Sequence, residues 1–377
     1  MTTRREPVLP PGDPAPRLLP WMKGWLALLA AVFLVPAVVL GRAQWQGRSD
    51  DRLVRETMLA PARPEPGAEP IDDVSTAAAR RVKIGFYLES LGTVSLKDSA
   101  WSAVIDVWCR WRDEAGDDGF NPFERLIAVD GTITDSRLLA HVDAGGEHYE
   151  LRRISVTYTK PFRISTFPVD EHLLLASFEN SAHTRRELLF VPDLADTAVS
   201  HRATLSNYRV VRFHTVENPH TYKTRRGRAD IDDDPRRTYS QPRFAVVIDR
   251  GGLGLFAKMF QALFISVAVA LLTCFIKPTH VDPRFGLGVG GLFAVVANSY
   301  FVGSLVPETN EFSLADIVNL LGIVTILLSL TQSTLSLYAY ETLGRPELSR
   351  RFDRAGFWTT LVGFVTALAV IMAAAHA

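Results

Sequence analysis

Cysteine is nearly absent. The two present, Cys109 and Cys274, lie far apart in stretches of opposite texture, which excludes a disulfide framework and any thiolate metal motif. Net charge is absent too: 41 basic side chains balance 41 acidic ones, so nothing in the composition favours nucleic acid as a partner. Catalytic spellings are missing as well. There is no Gly-x-Ser-x-Gly elbow, no His-Glu-x-x-His and no paired-carboxylate arrangement, so neither an enzyme activity nor a cofactor is expected. Gly286-x-Gly288-x-x-Gly291 matches a dinucleotide fingerprint in spelling, but it follows no strand and lies inside an apolar run.

Long hydrophobic runs are what the chain does have. They cover residues 24–40, 254–276, 284–306, 314–340 and 355–375, and each of the last four is long enough to span a bilayer. Arg4, Arg5, Arg17 and Lys23 precede the first run, Lys277 and Arg284 flank the turn after the second, and Arg345, Arg350, Arg351 and Arg354 crowd the loop before the fifth. The turn after the third holds Glu308, Glu311 and Asp316 without a Lys or Arg. The positive-inside rule then predicts a cytoplasmic leader over 1–23, an exported segment over 41–250, and a multi-pass protein of the cell inner membrane. The run 24–40 reads either as an anchor or as a signal segment cleaved near Gly41-Arg42-Ala43.

Within the exported segment, 41–80 reads as a linker, with Pro61, Pro64, Pro66, Gly67 and Pro70 among charges. From 81 to 250 the texture is that of strands. Val82, Ile84, Phe86 and Leu88 alternate with polar or small neighbours, and similar runs recur at 107–111, 154–158, 173–178, 208–213 and 244–248. Turns are expected at 116–119, 143–146 and 218–219. Strands at this spacing, with no long amphipathic helix between them, predict an antiparallel β-sandwich, followed over 251–377 by four membrane helices.

The run 284–306 is not uniformly apolar. At helical spacing Gly286, Gly290, Phe293, Ala297, Tyr300 and Ser304 share one face, with Leu287, Val295 and Val302 on the opposite side. Two readings fit: a pore-lining face gated at Phe293, or close helix packing at Gly286, Gly290 and Ala294. Asp282 and Glu308 would place carboxylate rings at the two mouths and favour cations, while Asp282-Pro283 equally suits a helix start.

Several pieces together resemble the pentameric ligand-gated ion channels, in their bacterial form. They are the Phe167-Pro168-Val169-Asp170 turn, Arg250 ahead of the second hydrophobic run, the strand around Trp108-Cys-Arg-Trp111-Arg-Asp113, and the interval from Arg284 to Pro307 with Asp316 after it. The resemblance covers about residues 81–375. It implies a homopentamer in membrane lipid, gated by a small-molecule ligand or by protons and passing permeant ions. It further implies coupling through Phe167, Pro168, Asp170, Arg250 and Pro307. The charged segment 217–241 resembles the loop that caps the family's agonist site, which makes Tyr222 and Tyr239, with Trp111 across the interface, candidate ligand contacts. The sequence departs from the family at Lys160 and Leu174, where eukaryotic members carry cysteines, and at Asn121-Pro122-Phe123-Glu124, where a Trp-x-Pro-Asp signature would fall. His172, beside the turn, is a candidate proton sensor. The acidic residues Asp230, Asp232, Asp233 and Asp234 lack the glycine and terminal glutamate of a calcium loop. The alternative to a channel is a non-conducting, membrane-tethered binding or scaffold protein.

Overall fold

A computed structural model describes residues 17–61, 76–113, 119–205, 207–224, 237–250, 253–309 and 311–376. It divides into two compact units. One holds the chain through Gln44 with Ala257–Val302 and Leu314–Ala377; the other holds Trp45–Phe256 and Gly303–Ser313.

The second unit is rich in strands: β1 (Arg80–Ser95), β2 (Ala100–Arg112), β3 (Leu126–Val129), β4 (Gly131–Ala144), β5 (Glu147–Thr159), β6 (Glu171–Asn180), β7 (Leu188–Pro192), β8 (Ala198–Val199), β9 (Arg209–Tyr222) and β10 (Arg237–Asp249). They form two sheets. One has the order β4-β5-β2-β1-β7, with β8 also on β1; the other has the order β3-β6-β10-β9. All pairings are antiparallel except those of β1 with β7 and β8. The sheets share one core. Phe86 of the first stacks on Phe178 and Phe244 of the second at 5.7 and 5.6 Å, and the Tyr158 hydroxyl donates across to the Ser177 carbonyl at 3.3 Å. Each such buried ring removes enough apolar surface from water to stabilise the sandwich by about 2–3 kcal/mol.

The strand runs read from alternation fall inside strands, except that Tyr208 lies one residue ahead of β9 in an isolated bridge with Leu205. The turn expected at 143–146 joins β4 to β5, where Gly145 and Gly146 take φ values of +61° and +76°, as a tight hairpin with two left-handed residues requires. The turn expected at 218–219 does not form. Asn218 and Pro219 continue β9, paired with Gln241 and Ser240, and an edge strand tolerates a proline there. The turn expected at 116–119 lies largely outside the described residues.

Among the described residues, five helices are long and apolar enough to cross a membrane. They are α1 (Pro20–Leu59), α2 (Leu253–Leu272, continued by a 3-10 turn Thr273–Phe275), α3 (Val281–Gly303), α4 (Leu314–Glu341) and α5 (Pro346–His376). Residues 41–59, read above as linker, are therefore helical. The sequence signal was masked by the charges between Val54 and Met58, which recur on one face. Earlier in α1, Met22, Leu29, Phe33 and Ala37 are buried at steps of seven and four residues. Met22 packs on Ala339, Leu348 and Phe352, and the Trp25 indole donates to Gln332 at 2.5 Å.

Candidate functional site

Helix α3 has two unlike faces. Arg284, Gly288, Gly291, Val295, Asn298 and Val302 are buried. Any side chain at Gly288 would meet Leu330 of α4, and one at Gly291 would meet the Ser266 carbonyl of α2, so these two glycines let the helices approach closely. Asn298 donates to Asn319 at 3.1 Å. Arg284 donates to Asp353 of α5 at 2.7 Å and to the Ile276 carbonyl at 3.2 Å, with no exposed surface. Such a pair is held by its geometry, because either charge left alone in this setting is costly.

The other face carries Gly286, Gly290, Phe293, Ala297 and Tyr300, with Ser304 just past the helix end, and all six are exposed. Phe293 and Tyr300 are 72% and 78% exposed. Apart from the adjacent residues and backbone of α3 itself, no atom lies within 4 Å of where a side chain at Gly286 or Gly290 would begin. Close helix packing within the chain thus falls at Gly288 and Gly291, not at the Gly286, Gly290 and Ala294 spacing. Leu287, expected opposite the stripe, is also exposed, since those two glycines take the place next to the neighbouring helices. Asp282 in the first turn of α3 and Glu308 beyond its end are exposed; Pro307 is half-buried.

The residues around the 167–170 turn form a second cluster. Asp170, almost fully buried, accepts from His172 Nε2 at 2.5 Å and faces Arg250 Nε at 3.0 Å, and its carbonyl accepts the Arg250 amide at 3.1 Å. The Arg250 guanidinium lies 4.9 Å from the Phe167 ring and 4.7 Å from the Tyr208 ring, and donates to the Tyr208 hydroxyl. Burial works to raise the Asp170 carboxyl, but the His172 hydrogen bond and the His172 and Arg250 charges outweigh it and hold the group below the usual carboxylate range. Tyr208 is pushed up to about 12, chiefly by burial. Phe167, Pro168, Asp170 and Arg250 are thus brought together. Pro307 is not: among the described residues, none of the cluster's hydrogen bonds, ion pairs or ring contacts reaches it. Tyr208 was not singled out in the sequence, where it reads as one more strand aromatic.

Tyr222 and Tyr239 meet edge to face at 5.5 Å on paired strands. The Tyr222 hydroxyl donates to both oxygens of Glu179 at 3.1 Å, and Gln241 donates to the same carboxylate at 2.7 Å. Glu179 has no exposed surface, so this carboxylate is held by hydrogen bonds rather than by water. Its strand position carries no local signal of that role. Tyr222 is half-buried and Tyr239 buried, while residues 225–236, with the acidic run 230–234, lie outside the described residues. Trp111 departs from expectation. It is 4% exposed, belongs to the sandwich core and stacks on His148 at 5.3 Å, which leaves no ring face for a ligand.

A further polar cluster, not read from the sequence, occupies the β4–β5 hairpin. His148 lies between Asp113 at 2.8 Å and Asp143 at 2.6 Å, and His141 lies between Asp143 at 3.0 Å and Glu150 at 3.4 Å. A neutral imidazole has one N–H, so the His148 ring needs a second proton to donate to both of its carboxylates. The hydrogen bonds to Asp113 and Asp143 raise the His148 pKa, and the bond from His148 lowers that of Asp143. No protein-family model matches this chain, and a search of curated proteins finds no match.

Proposed function

We propose that the chain is a subunit of a homopentameric ligand- or proton-gated ion channel, with α3 of each subunit lining the axis. The observation that carries this reading is the exposed face of α3. A helix apolar enough to cross a membrane turns Phe293 and Tyr300 away from its own helical neighbours, while glycines on the opposite side seat it against them. Five copies surrounding water would give that face a purpose, with Phe293 as an apolar constriction that closes by dewetting. Asp282 and Glu308 would set carboxylates at the mouths and favour cations. Arg284, paired with Asp353, would add no charge to the pore.

In this reading the β-sandwich is periplasmic and senses the ligand near Tyr222, or protons. The cluster of Phe167, Asp170, His172 and Arg250 would take one of two packings according to occupancy. That change would bear on the segment containing Pro307 and tilt α3, moving Phe293 off the axis. The N-terminus and the loop between α4 and α5 would lie in the cytoplasm, following their arginines.

The test is reconstitution of the purified full chain in lipid vesicles, with subunit counting by electron microscopy. Five-fold particles and a current altered by Phe293→Ala are expected. Particles of another symmetry, or vesicles silent under every pH and ligand screened, would leave a tethered, non-conducting module.

A further inference from the structure

Asp51, Val54, Arg55 and Met58 recur at steps of three, one and three residues in the later part of α1 and so share one helix face. In the β unit that face stands over the start of β6. Arg55 pairs with Glu171 at 2.9 Å, and Asp51 pairs with Arg163. Between these two pairs the side chains do not close up. A cavity of about 140 Å³ remains, walled mainly by Val54, Met58, Trp101, Phe162, Leu173 and Leu175. That is room for a ligand of on the order of ten non-hydrogen atoms.

The charges at the cavity do not balance. Arg55, Lys160 and Arg163 line it against only two carboxylates, Asp51 and Glu171, and each carboxylate already has an arginine. Arg212, 3.7 Å from Glu171, adds more positive charge nearby. The Lys160 ammonium has no ion-pair partner among the described residues. A partly open, largely apolar cavity whose wall includes one partly buried lysine without an ion-pair partner is complementary to a single anionic group on an apolar body.

We propose that this cavity binds a small apolar monocarboxylate, with its carboxylate on Lys160 and its body against Met58, Trp101 and Phe162. The site is separate from the Tyr222 cluster and stands whether or not the chain conducts. It borders the Arg250 cluster: the Phe162 ring meets His172 at 5.0 Å, and His172 is the hydrogen-bond partner of Asp170. An occupant would therefore press on that cluster from the α1 side.

Titration calorimetry on the purified full chain in neutral detergent tests this, with benzoate, benzyl alcohol and benzylamine as probes. Saturable benzoate binding is expected, about tenfold or more tighter than either neutral or cationic analogue. Lys160→Gln should weaken benzoate about tenfold, while Lys97→Gln, at an exposed lysine that does not line the cavity, should leave it unchanged. Met58→Trp should fill the chamber and abolish binding; should that variant not fold, Lys160→Gln still decides. Absence of saturable benzoate binding, equal binding of benzylamine, or a Lys160→Gln variant as tight as the native chain would each overturn the proposal.

Discussion

Among the described residues two arginine–aspartate pairs are buried, one in each compact unit, and they are built differently. Arg284 and Asp353 meet at 2.7 Å among apolar helices, with a single backbone carbonyl as the other acceptor for the guanidinium. Arg250 and Asp170 meet at 3.0 Å, but the guanidinium also lies over two rings, and the carboxylate is shared with His172. Among the described residues no third ionisable side chain is hydrogen-bonded or ion-paired to the first pair, which acts as a clasp between α3 and α5. The second has His172 on its carboxylate and the Tyr208 phenol on its guanidinium, so its balance can shift with pressure from a neighbour. A buried pair alone therefore says little; its third partner separates a clasp from a lever.

Breaking the clasp should cost most. Arg284→Ala would leave Asp353 uncompensated and lower stability by about 3–5 kcal/mol, read as a collapse of the thermal midpoint in detergent; Arg284→Met with Asp353→Leu should recover much of it. Equal midpoints for Arg284→Ala and the native chain would remove the distinction between the pairs.

Asp170→Asn should cost somewhat less, about 2–3 kcal/mol, because Tyr208 and the Phe167 ring still hold Arg250. Its pH signature is sharper. The folded Asp170 pKa lies below the unfolded value of about 3.9, so its stabilisation is present above that value and is lost as pH falls through the folded pKa. The native midpoint should drop in that acid window, and Asp170→Asn should lack this part of the drop.

The two faces of α3 make the next test. Gly288→Leu would collide with Leu330 and should cost about 1–3 kcal/mol, whereas Gly286→Leu projects into open space and should leave the midpoint of the detergent-solubilised protein nearly unchanged. Equal losses at both positions would mean that the exposed face is packed after all. The smallest effect is expected at His148. Its folded pKa lies above the unfolded value of about 6.5, so its contribution is complete below that value and fades as pH rises through the folded pKa. His148→Asn should flatten the midpoint-against-pH curve in that window and leave other pH values alone.

Much of this was legible along the chain because it depends on period. Alternation at β1, β5, β6 and β10 reports one face turned to a core, and apolar runs report the helices whatever they pack against. β4 was not legible: every residue from Thr134 to Leu139 is exposed, so no alternation marks it, and only the Gly145-Gly146 turn hinted at a hairpin. The later part of α1 was hidden for a related reason, since its packing face is narrow and set among arginines and aspartates. The α3 stripe could be spelled out residue by residue, yet which side met other helices rested on Leu330 and Ser266, distant in sequence.

Local spacing and composition thus determined where helices and strands form and which residues share a face, since those properties follow from φ/ψ periodicity within a few residues. Tertiary structure alone decided the pairing of Arg284 with Asp353, the enclosure of Arg250 between Phe167 and Tyr208, and the withdrawal of Trp111 into the core. Each of these depends on which distant atoms fill the space beside a side chain, and no local period encodes that.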